Sequence, residues 1–369
     1  MIRVFLAALV FFSAVLYFIP RGGIDGAPSI QYLWQYDLSE GLAPAQPPGI
    51  EAGALNFNAV LFSEGEERFI VGPGGSRVPI ESGDRVFVPF LGHGYFRYAR
   101  LGRQVAFHSA RGEELWVKDF ISYPISDERG ELVLLLTGDN NRVDLIDQNG
   151  NATGSGSVAG SFMTDFDFAA RAPAALIAFA GGGIHLLDAA GNVLWHERLE
   201  GENESGPFFV KSAALGPDGR LMAVHYQDGG NDLIALLAMD ADGDVSEERL
   251  FELPRTYPHL LHMAVNSGGV LVAAPDRTVF VSLGAGADWE APLSGERIYR
   301  PVFADREFFV FGEHETLVVL STRGERLAAY PVATAPESDW RILPAAGERI
   351  FAIQTPARLE FYGFQPAPE

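Results

Sequence analysis

Short segments in which apolar and polar residues alternate occur along most of the chain, separated by residues typical of turns. Gln104–Ser109, Arg142–Asp147 and Thr316–Ser321 are three of them, and β-branched or aromatic side chains are frequent among them. Alternation with a period of two places successive side chains on opposite faces of a strand. The pattern therefore predicts an all-β fold built from many short strands.

Five of these segments end in the same turn, which consists of Asp or Ser, two further residues and Gly. The turn glycines are Gly112, Gly150, Gly191, Gly243 and Gly324. The Asp or Ser side chain can accept hydrogen bonds from the backbone that follows it, and Gly can adopt the positive φ that closes a hairpin. The first three intervals are 38, 41 and 52 residues and the last is 81, which leaves room for a sixth copy at residues 277–286.

Two further candidate strands precede each hairpin, as residues 162–168 and Ala174–Phe179 precede the hairpin that contains Gly191. Four strands repeated with a period of about 40 residues are the signature of a β-propeller blade. At the C-terminus three strands are found, and the segment at residues 31–38, with Trp34, matches the missing outer strand. The N-terminal strand is therefore expected to complete the last blade and close the ring, which leaves no sheet edge open.

The number of blades depends on how residues 56–90 are interpreted. We interpret them as the inner strands of the first blade plus an insertion, which predicts a seven-bladed β-propeller from residue 30 to about residue 365. Eight blades are the alternative, and they require this stretch to form a whole additional blade. In either case residues 30–369 are predicted to be the propeller domain, and residues 1–29 a separate N-terminal segment.

The N-terminal segment carries a membrane-targeting pattern. Arg3 precedes an apolar run at residues 4–19, and the next charged residue is Arg21. A basic residue followed by an apolar stretch is typical of a secretory signal or a signal-anchor, and 16 residues lie at the lower limit of a membrane-spanning helix, which needs about 17–25. We expect one hydrophobic helix that stays uncleaved and tethers an exported, periplasmic propeller to the inner membrane. A cleaved signal peptide is the alternative.

The charge balance of the chain excludes one class of partner. The sequence has 27 Lys and Arg against 48 Asp and Glu, a formal net charge of -21, and its two lysines are Lys118 and Lys211. Nucleic-acid binding needs clustered cations that neutralise phosphates, so no nucleic acid is expected. A protein partner with a basic surface, bound in a salt-dependent manner, fits this charge.

The strand–[Asp/Ser]-x-x-Gly–x-x-Leu-Trp blocks at residues 109–116 and 188–195 resemble the repeat of the quinoprotein-like and WD40-like (PQQ-like repeat) propeller superfamily. The resemblance covers residues 30–369 and implies a propeller fold, in a superfamily that includes dehydrogenases, assembly factors and scaffolds. For the dehydrogenases it implies a calcium ion, a catalytic Asp and often a vicinal disulfide, which a chain with no cysteine cannot form. The resemblance is thus to the non-catalytic branch. It is nearest to the envelope propellers of the machinery that assembles outer-membrane barrels, although those are usually lipoproteins attached through a cysteine.

The sequence shows no catalytic, cofactor or metal-binding motif. Residues 240–244 are similar to a calcium loop, but the sixth position is Val245, where an EF-hand needs Gly. The eight histidines are scattered, and the glycine run at residues 181–183 lacks the lysine of a phosphate-binding loop. No catalytic residue, cofactor or metal is expected. Four tryptophans begin candidate outer strands, which predicts that they pack between neighbouring blades; they are Trp34, Trp116, Trp195 and Trp289.

One basic and aromatic cluster stands apart from the acidic balance. Its members are Tyr95, Arg97, Tyr98, Arg100 and Arg103. Arginine combined with aromatic side chains is typical of surfaces that contact a partner, so we predict that these residues form a contact site. The alternative is an ordinary strand with arginine on its solvated face.

Together these features predict a membrane-anchored, non-enzymatic propeller that acts as a protein-interaction scaffold in the cell envelope. The competing hypothesis is a small-ligand binder or an enzyme that uses the central channel of the propeller.

Overall fold

The computed structural model describes the greater part of the propeller region predicted from the sequence. The described residues are 29–37, 58–64, 66–72, 76–99, 102–119, 122–201, 206–283, 286–293, 302–305, 308–313, 316–331, 340–344, 350–356 and 358–365. They form 31 β-strands, and no helix is found among them. The prediction of an all-β fold is confirmed.

The strands are arranged in eight antiparallel sheets, seven with four strands and one with three among the described residues. In chain order the first four sheets, or blades, are β2 (Val60–Glu64), β3 (Glu67–Val71) and β4 (Arg77–Ile80); β5 (Asp84–Phe87), β6 (Gly94–Ala99), β7 (Gln104–Ser109) and β8 (Glu114–Asp119); β9 (Ser122–Ser126), β10 (Leu132–Thr137), β11 (Arg142–Asp147) and β12 (Ala152–Ala159); β13 (Met163–Phe168), β14 (Ala174–Phe179), β15 (Gly183–Asp188) and β16 (Val193–Arg198).

The remaining four blades follow the same order, and the last one contains the N-terminal strand. They are β17 (Phe208–Leu215), β18 (Leu221–Asp228), β19 (Asn231–Met239) and β20 (Val245–Glu252); β21 (His262–Asn266), β22 (Gly269–Ala274), β23 (Arg277–Ser282) and β24 (Trp289–Pro292); β25 (Val302–Asp305), β26 (Phe308–Glu313), β27 (Thr316–Ser321) and β28 (Arg326–Pro331); β29 (Arg341–Pro344), β30 (Ile350–Gln354), β31 (Arg358–Gln365) and β1 (Ser29–Asp37).

The burial of the strands follows their position within a blade. The first strands of successive blades contact one another, as β13 contacts β17 and β17 contacts β21, so these strands surround the central axis. The second strands are sandwiched between neighbouring blades, and β14 and β22 are buried along their whole length. The fourth strands lie at the rim, and most residues of β16 are exposed. The core therefore consists of apolar layers between adjacent sheets.

The predicted hairpin turn is confirmed in the repeats. Gly150 has a φ of +78°, and its N–H donates to the carbonyl oxygen of Asp147 at 2.9 Å. The Asp147 carboxylate accepts hydrogen bonds from the backbone N–H groups of Asn149 and Asn151 at 2.9 and 2.8 Å. These bonds satisfy the turn backbone locally, which explains the recurrence of Asp or Ser and of Gly.

The prediction of seven blades is wrong, because residues 60–80 form a blade of their own. In this blade β4 is the outer strand: a Cβ added at Gly112, in the hairpin turn of the next blade, would lie 3.0 Å from Val78. The chain then turns within residues 81–83 and begins the next blade with β5. The stretch resembled an insertion because Val78 stands where other repeats have Trp, and because its turn begins with Gly72 rather than Asp or Ser. Residues 38–57, which precede this blade, lie outside the described residues.

The predicted closure of the ring is confirmed. The N-terminal strand β1 pairs with β31 along its whole length, from Ser29 opposite Gln365 to Asp37 opposite Arg358. The last blade is therefore built from both ends of the propeller region. The predicted hydrophobic helix at residues 4–19 lies outside the described residues, and within the described ranges no helix is long and apolar enough to span a bilayer.

Candidate functional site

The two ends of the propeller carry different connections. Because the strands of each blade are antiparallel, the connections between blades and the loops between second and third strands lie at one end. We call this end the loop face. The Asp/Ser-x-x-Gly turns, which join third and fourth strands, lie at the opposite end, the turn face. Binding residues are frequently placed on loops that a rigid scaffold positions.

Three large apolar side chains are exposed on the loop face, one in each of three successive blades. Phe162 is 47% exposed, Phe209 41% and Leu260 50%. Each directly precedes a buried residue that lies within two residues of the start of the innermost strand; the pairs are Phe162–Met163, Phe209–Val210 and Leu260–Leu261. The same local arrangement therefore places one apolar side chain in solvent at the fourth, fifth and sixth blades.

Backbone hydrogen bonds between blades fix two of these positions. The N–H of Met163 donates to the carbonyl oxygen of Asn140 in the preceding blade at 2.6 Å, and the N–H of Val210 donates to that of Ala180 at 3.0 Å. The N–H of Ala180 in turn donates to the carbonyl oxygen of Phe162 at 2.8 Å. Phe162 and Phe209 therefore flank the loop that joins β14 to β15.

Phe162 adopts an unusual backbone conformation. Its φ is +121°, a region that residues with a Cβ rarely occupy. Such a conformation costs about 1–3 kcal/mol and persists where the surrounding structure fixes it. Here Ala180 and Asn140 hold the peptide unit that follows Phe162, and the Gly181 N–H donates to Ser161 Oγ at 2.7 Å in the residue before it, so bonds on both sides of that φ fix the conformation.

A buried polar network lies behind the loop face in the fifth blade. The Lys211 ammonium is 2.6 Å from Asp232 Oδ1 and donates to the carbonyl oxygen of Tyr257 at 2.6 Å. Asp232 Oδ2 accepts from the Tyr257 N–H at 2.8 Å and lies 3.0 Å from His225 Nε2. Ser212 Oγ is 3.4 Å from His225 Nδ1. The network ties three strands to the connection that carries Leu260.

The order Ser212, His225, Asp232 is that of a nucleophile, a base and an orienting carboxylate. The side chains of His225 and Asp232 are completely buried, and Ser212 is buried as well, so a substrate carbonyl cannot reach the hydroxyl. Burial lowers the pKa of His225, and its hydrogen bond to Asp232 offsets this in part. Burial raises the pKa of Asp232, but hydrogen bonds from His225, Lys211 and the Tyr257 N–H outweigh it, so that pKa is lowered. The arrangement is a structural network around a charged Lys–Asp pair.

This network was not predicted from the sequence. One signal was available: Lys211 interrupts an otherwise apolar segment of β17, and a lysine in a buried strand requires a partner. Its partners are on other strands and could not be chosen from spacing alone.

Two carboxylates on the inner strand β13 bind the next blade. Asp165 Oδ2 accepts a hydrogen bond from the Ala213 N–H at 3.0 Å, and Asp167 Oδ2 accepts one from the Leu215 N–H at 2.8 Å. Acidic groups near the central axis are the type that the competing channel hypothesis needs. These two hold adjacent inner strands together.

The predicted contact cluster divides into buried and exposed residues. Tyr95 is 2% exposed, and its ring stacks on His108 with the centroids 5.3 Å apart. Arg97 is hydrogen-bonded to Asp84 and lies 3.3 Å from Glu81. Burial lowers the pKa of Arg97, but these two carboxylates outweigh it and raise that pKa. Tyr95 therefore belongs to the core, and Arg97 belongs to a local ion-pair cluster.

Two other residues of the cluster, Tyr98 and Arg103, flank the loop between β6 and β7. Tyr98 is half-buried and makes an edge contact with Tyr123, with the centroids 5.9 Å apart. Arg103 is exposed, and Arg100 lies outside the described residues. This loop is on the loop face of the second blade, so Arg97, Tyr98 and Arg103 share a face with Phe162, although two blades away. Contact with a partner at this cluster stays a prediction.

The tryptophans pack as predicted where their side chains are described. Trp116 and Trp289 donate their indole N–H groups to carbonyl oxygens in the turn of the following blade, each at 2.9 Å. Trp195 packs against the core between the fourth and fifth blades. The side chain of Trp34 lies outside the described residues. At the next blade boundary Arg249 performs this role: it donates to the carbonyl oxygen of Ser282 at 2.5 Å.

The segments with a superficial likeness to ligand loops serve as turns. Asp240 accepts hydrogen bonds from the N–H groups of Asp242 and Asp244 at 2.8 and 3.0 Å, as the turn motif requires. Gly183 begins β15, and the glycine run joins this strand to β14. Among the residues that the structure describes, no group of three or more His, Asp or Glu side chains could hold a metal ion.

Comparison with known proteins gives structural matches alone. No protein-family model matches the chain, and no curated protein is similar to it in sequence. BamB from Moraxella catarrhalis superposes with a TM-score of 0.57 at 16% identity, over 91% of this chain and 100% of that one. Hsv2 from Kluyvelomyces marxianus gives 0.51 at 10% identity, over 82% and 94%. Kuenenia stuttgartiensis hydrazine synthase gives 0.46 at 13% identity, over 72% and 90%.

At these identities the matches show the fold, and a fold carries no function with it. BamB matches over nearly the whole described chain, as a single propeller of the kind that the repeat blocks resemble. The resemblance inferred from the sequence is therefore confirmed at the level of the fold: the described residues form an eight-bladed β-propeller.

Proposed function

We propose that the protein is a non-enzymatic propeller that acts as a protein-interaction scaffold in the cell envelope. In this proposal residues 4–19 anchor the chain in the inner membrane, residues 1–29 include a short linker, and residues 30–369 form the exported, periplasmic propeller. The propeller fold shared with BamB supports a scaffold role by analogy.

The observation that carries the proposal is that the polar groups inside the ring form structural hydrogen bonds. Asp165 and Asp167 accept backbone N–H groups of the neighbouring strand. His225 and Asp232 are buried in a network with Lys211. These groups have the chemistry of an enzyme or a ligand site, and each of them holds blades or loops together.

The net charge of -21 defines the kind of partner that we expect. Exposed carboxylates attract a basic protein surface, and salt weakens this attraction. Arg97, Tyr98 and Arg103 are proposed as an additional contact site for an acidic or aromatic group of the partner.

The experiment that tests the proposal is crosslinking of the full-length protein in its own membrane, followed by identification of the crosslinked protein. Lysine-directed reagents are unsuitable, because the chain has two lysines and Lys211 is buried; a carboxylate-directed or photoreactive reagent is needed. We expect one protein to be captured reproducibly, and less of it at high salt. Capture of no protein, together with a small molecule that copurifies with the propeller, would contradict the scaffold and favour the channel hypothesis.

The location is tested separately with a protease added to spheroplasts. A tag placed after Glu369 should be digested in intact spheroplasts if the propeller is periplasmic. Removal of residues 4–19 should release the protein from the membrane fraction. A protected tag, or a protein that stays in the membrane without these residues, contradicts the proposed topology.

A further inference from the structure

We infer that the loop face of the fourth, fifth and sixth blades is the partner-binding surface, and that it binds a protein segment in which apolar side chains are surrounded by basic ones. The apolar part of this surface consists of Phe162, Phe209 and Leu260. The inference rests on the proposed scaffold function and specifies where, and to what chemistry, the scaffold binds.

The first argument is the repetition of the exposed apolar position. Exposed aromatic and large aliphatic side chains that converge on one surface mark interaction sites, whereas scattered ones need no explanation. Phe162 and Phe209 are joined through the backbone of Ala180, which bonds to Phe162 on one side and to Val210 on the other. Leu260 lies on the next connection, which the buried Lys211 fixes through the carbonyl oxygen of Tyr257.

The other exposed large apolar residues are arranged differently. They lie on fourth strands at the rim, where apolar and polar residues alternate along an outer edge. Among the described residues they are Leu115, Val117, Val193, Leu194 and Leu250. None of them lies on the loop face, so they serve as matched controls for exposure.

The second argument is the backbone strain at Phe162. A φ of +121° has a steric cost for phenylalanine that glycine, which has no Cβ, would not have. The chain places an exposed phenylalanine there instead. Strain of this kind is concentrated at sites of function, where it orients a side chain in advance of binding.

The third argument is the charge around the apolar residues. On the loop face around these apolar residues, the positive charge of the arginines is largely neutralised by carboxylates. Arg142 is 2.6 Å from Asp144, and Arg277 is 3.0 Å from Asp276 and 2.9 Å from Glu290.

The negative charge of exposed carboxylates on the same part of the loop face is not neutralised by an arginine in this way. Asp139 bonds to the Thr137 hydroxyl and to the Asn141 amide, both neutral. Among the described residues of this part of the loop face, Glu200 and Glu252 are also exposed, against two further exposed arginines, Arg198 and Arg255, and Arg255 lies 2.9 Å from Asp276. A basic partner surface matches this excess of negative charge, and an anionic membrane surface is repelled by it.

The test places the photoreactive amino acid p-benzoylphenylalanine at Phe162 and at Phe209 in the full-length protein, in its own membrane. Leu115 and Leu250 receive the same substitution as controls. We expect one partner to be crosslinked from both loop-face positions and not from the rim, through a segment that mass spectrometry identifies as rich in Lys or Arg and in apolar residues.

Equal or stronger crosslinking from the rim, or an acidic crosslinked segment, overturns the inference. If the partner is captured from the rim alone, the scaffold function stands and the assigned face is wrong; if no position captures a protein, the scaffold function fails.

A second measurement is independent of the crosslinker. The double variant Phe162→Ser, Phe209→Ser should reduce partner capture at least about tenfold, because central apolar residues dominate interface energetics. The rim variant Leu115→Ser, Leu250→Ser should leave capture unchanged, and circular dichroism should show both variants folded.

Sedimentation with phosphatidylglycerol vesicles addresses the membrane alternative: we expect the residue 29–369 fragment to stay in solution at low salt. Sedimentation that Phe162→Ser, Phe209→Ser abolishes would overturn the inference in favour of a lipid surface.

Discussion

The indole N–H of Trp116 donates a hydrogen bond to the carbonyl oxygen of Gln148, 2.9 Å away in the next blade. The ring covers the turn so closely that a Cβ added at Gly150 would lie 2.9 Å from it. Trp289 makes the same contact with the turn that contains Gly324. The turn glycine therefore has two functions, since it supplies a positive φ and leaves room for the tryptophan of the preceding blade.

Substitution of the turn glycines separates these two functions. Gly150 and Gly243 have similar φ values, +78° and +91°, but a Cβ at Gly243 would meet no atom within 4 Å. Gly243→Ala should destabilise the fold by about 1–2 kcal/mol, the cost of a left-handed alanine. Gly150→Ala should cost about 1–3 kcal/mol more, because the methyl group displaces Trp116. Urea unfolding of both variants measures the difference, and equal losses would show that the tryptophan contact contributes nothing.

Much of this architecture could be predicted because it depends on local chemistry. The turn motif needs Asp or Ser and Gly wherever a third strand joins a fourth, so five copies, such as the one with Gly150, were visible in the sequence. The closing strand was visible because it repeats an outer-strand pattern. The first blade was interpreted as inner strands and an insertion because Val78 performs the role that tryptophan has at Trp116. The fifth blade was visible through its turn glycine, Gly243, although Arg249 takes the place of the tryptophan there. Contacts between blades tolerate different side chains, and a motif based on one side chain therefore misses the exceptions.

The candidate site was harder to predict for a physical reason. Phe162 and Phe209 read as ordinary strand residues, since alternation does not distinguish an apolar side chain in the core from one in solvent at the end of a strand. The Arg97 cluster was visible in the sequence. Its ion pairs with Asp84 and Glu81 were not, because they depend on which loops meet at the loop face.

The two lysines of the chain provide a simple test of the buried network. Lys211 is 6% exposed and bonded to Asp232, whereas Lys118 is half-exposed on an outer strand. An amine-reactive ester should modify Lys118 in the native protein and Lys211 after unfolding, because a buried ammonium in an ion pair is not accessible to the reagent. Peptide mass spectrometry gives both yields. Rapid modification of Lys211 in the folded protein would contradict the network.

Removal of the Lys211 charge should destabilise the propeller strongly. Lys211→Met leaves Asp232 buried without its cation, which typically costs about 3–5 kcal/mol. Lys118→Met is the matched control, and a surface change of this type should stay within about 0.5 kcal/mol. Thermal unfolding of the two variants is compared with that of the unchanged protein. Similar midpoints for the two variants would show that the buried pair does not stabilise the fold.

The inner-strand carboxylates should stabilise the contact between the fourth and fifth blades. Asp167→Ala removes the acceptor for the Leu215 N–H and should cost about 1.5–3 kcal/mol, as expected for a hydrogen bond to a charged group. Asp218→Ala, on an exposed turn, is the control and should have little effect. Urea unfolding measures both. If Asp167→Ala is as stable as Asp218→Ala, these carboxylates are free for another role and the channel hypothesis regains support.

His185 should make the propeller less stable as the pH falls. Burial and, to a smaller extent, the neighbouring His196, stacked at 4.3 Å, together lower the pKa of His185 from 6.5 to about 4. Above pH 6.5 this histidine is neutral in both the folded and the unfolded chain, so it contributes no pH dependence. Between about pH 6.5 and 4 the unfolded chain binds a proton that the folded chain does not, and the free energy of unfolding decreases by up to about 3 kcal/mol.

Substitution of His185 isolates this contribution from that of His225, whose pKa burial also lowers. His185→Phe removes the titrating group from its buried position against Phe179, so the stability of this variant should fall less steeply between pH 6.5 and 4. His259→Phe, at an exposed position on the loop face, is the control and should retain the slope of the unchanged protein. Urea unfolding at a series of pH values gives the three slopes. Parallel curves for His185→Phe and the unchanged protein would show that His185 takes up its proton in the folded state at an ordinary pH.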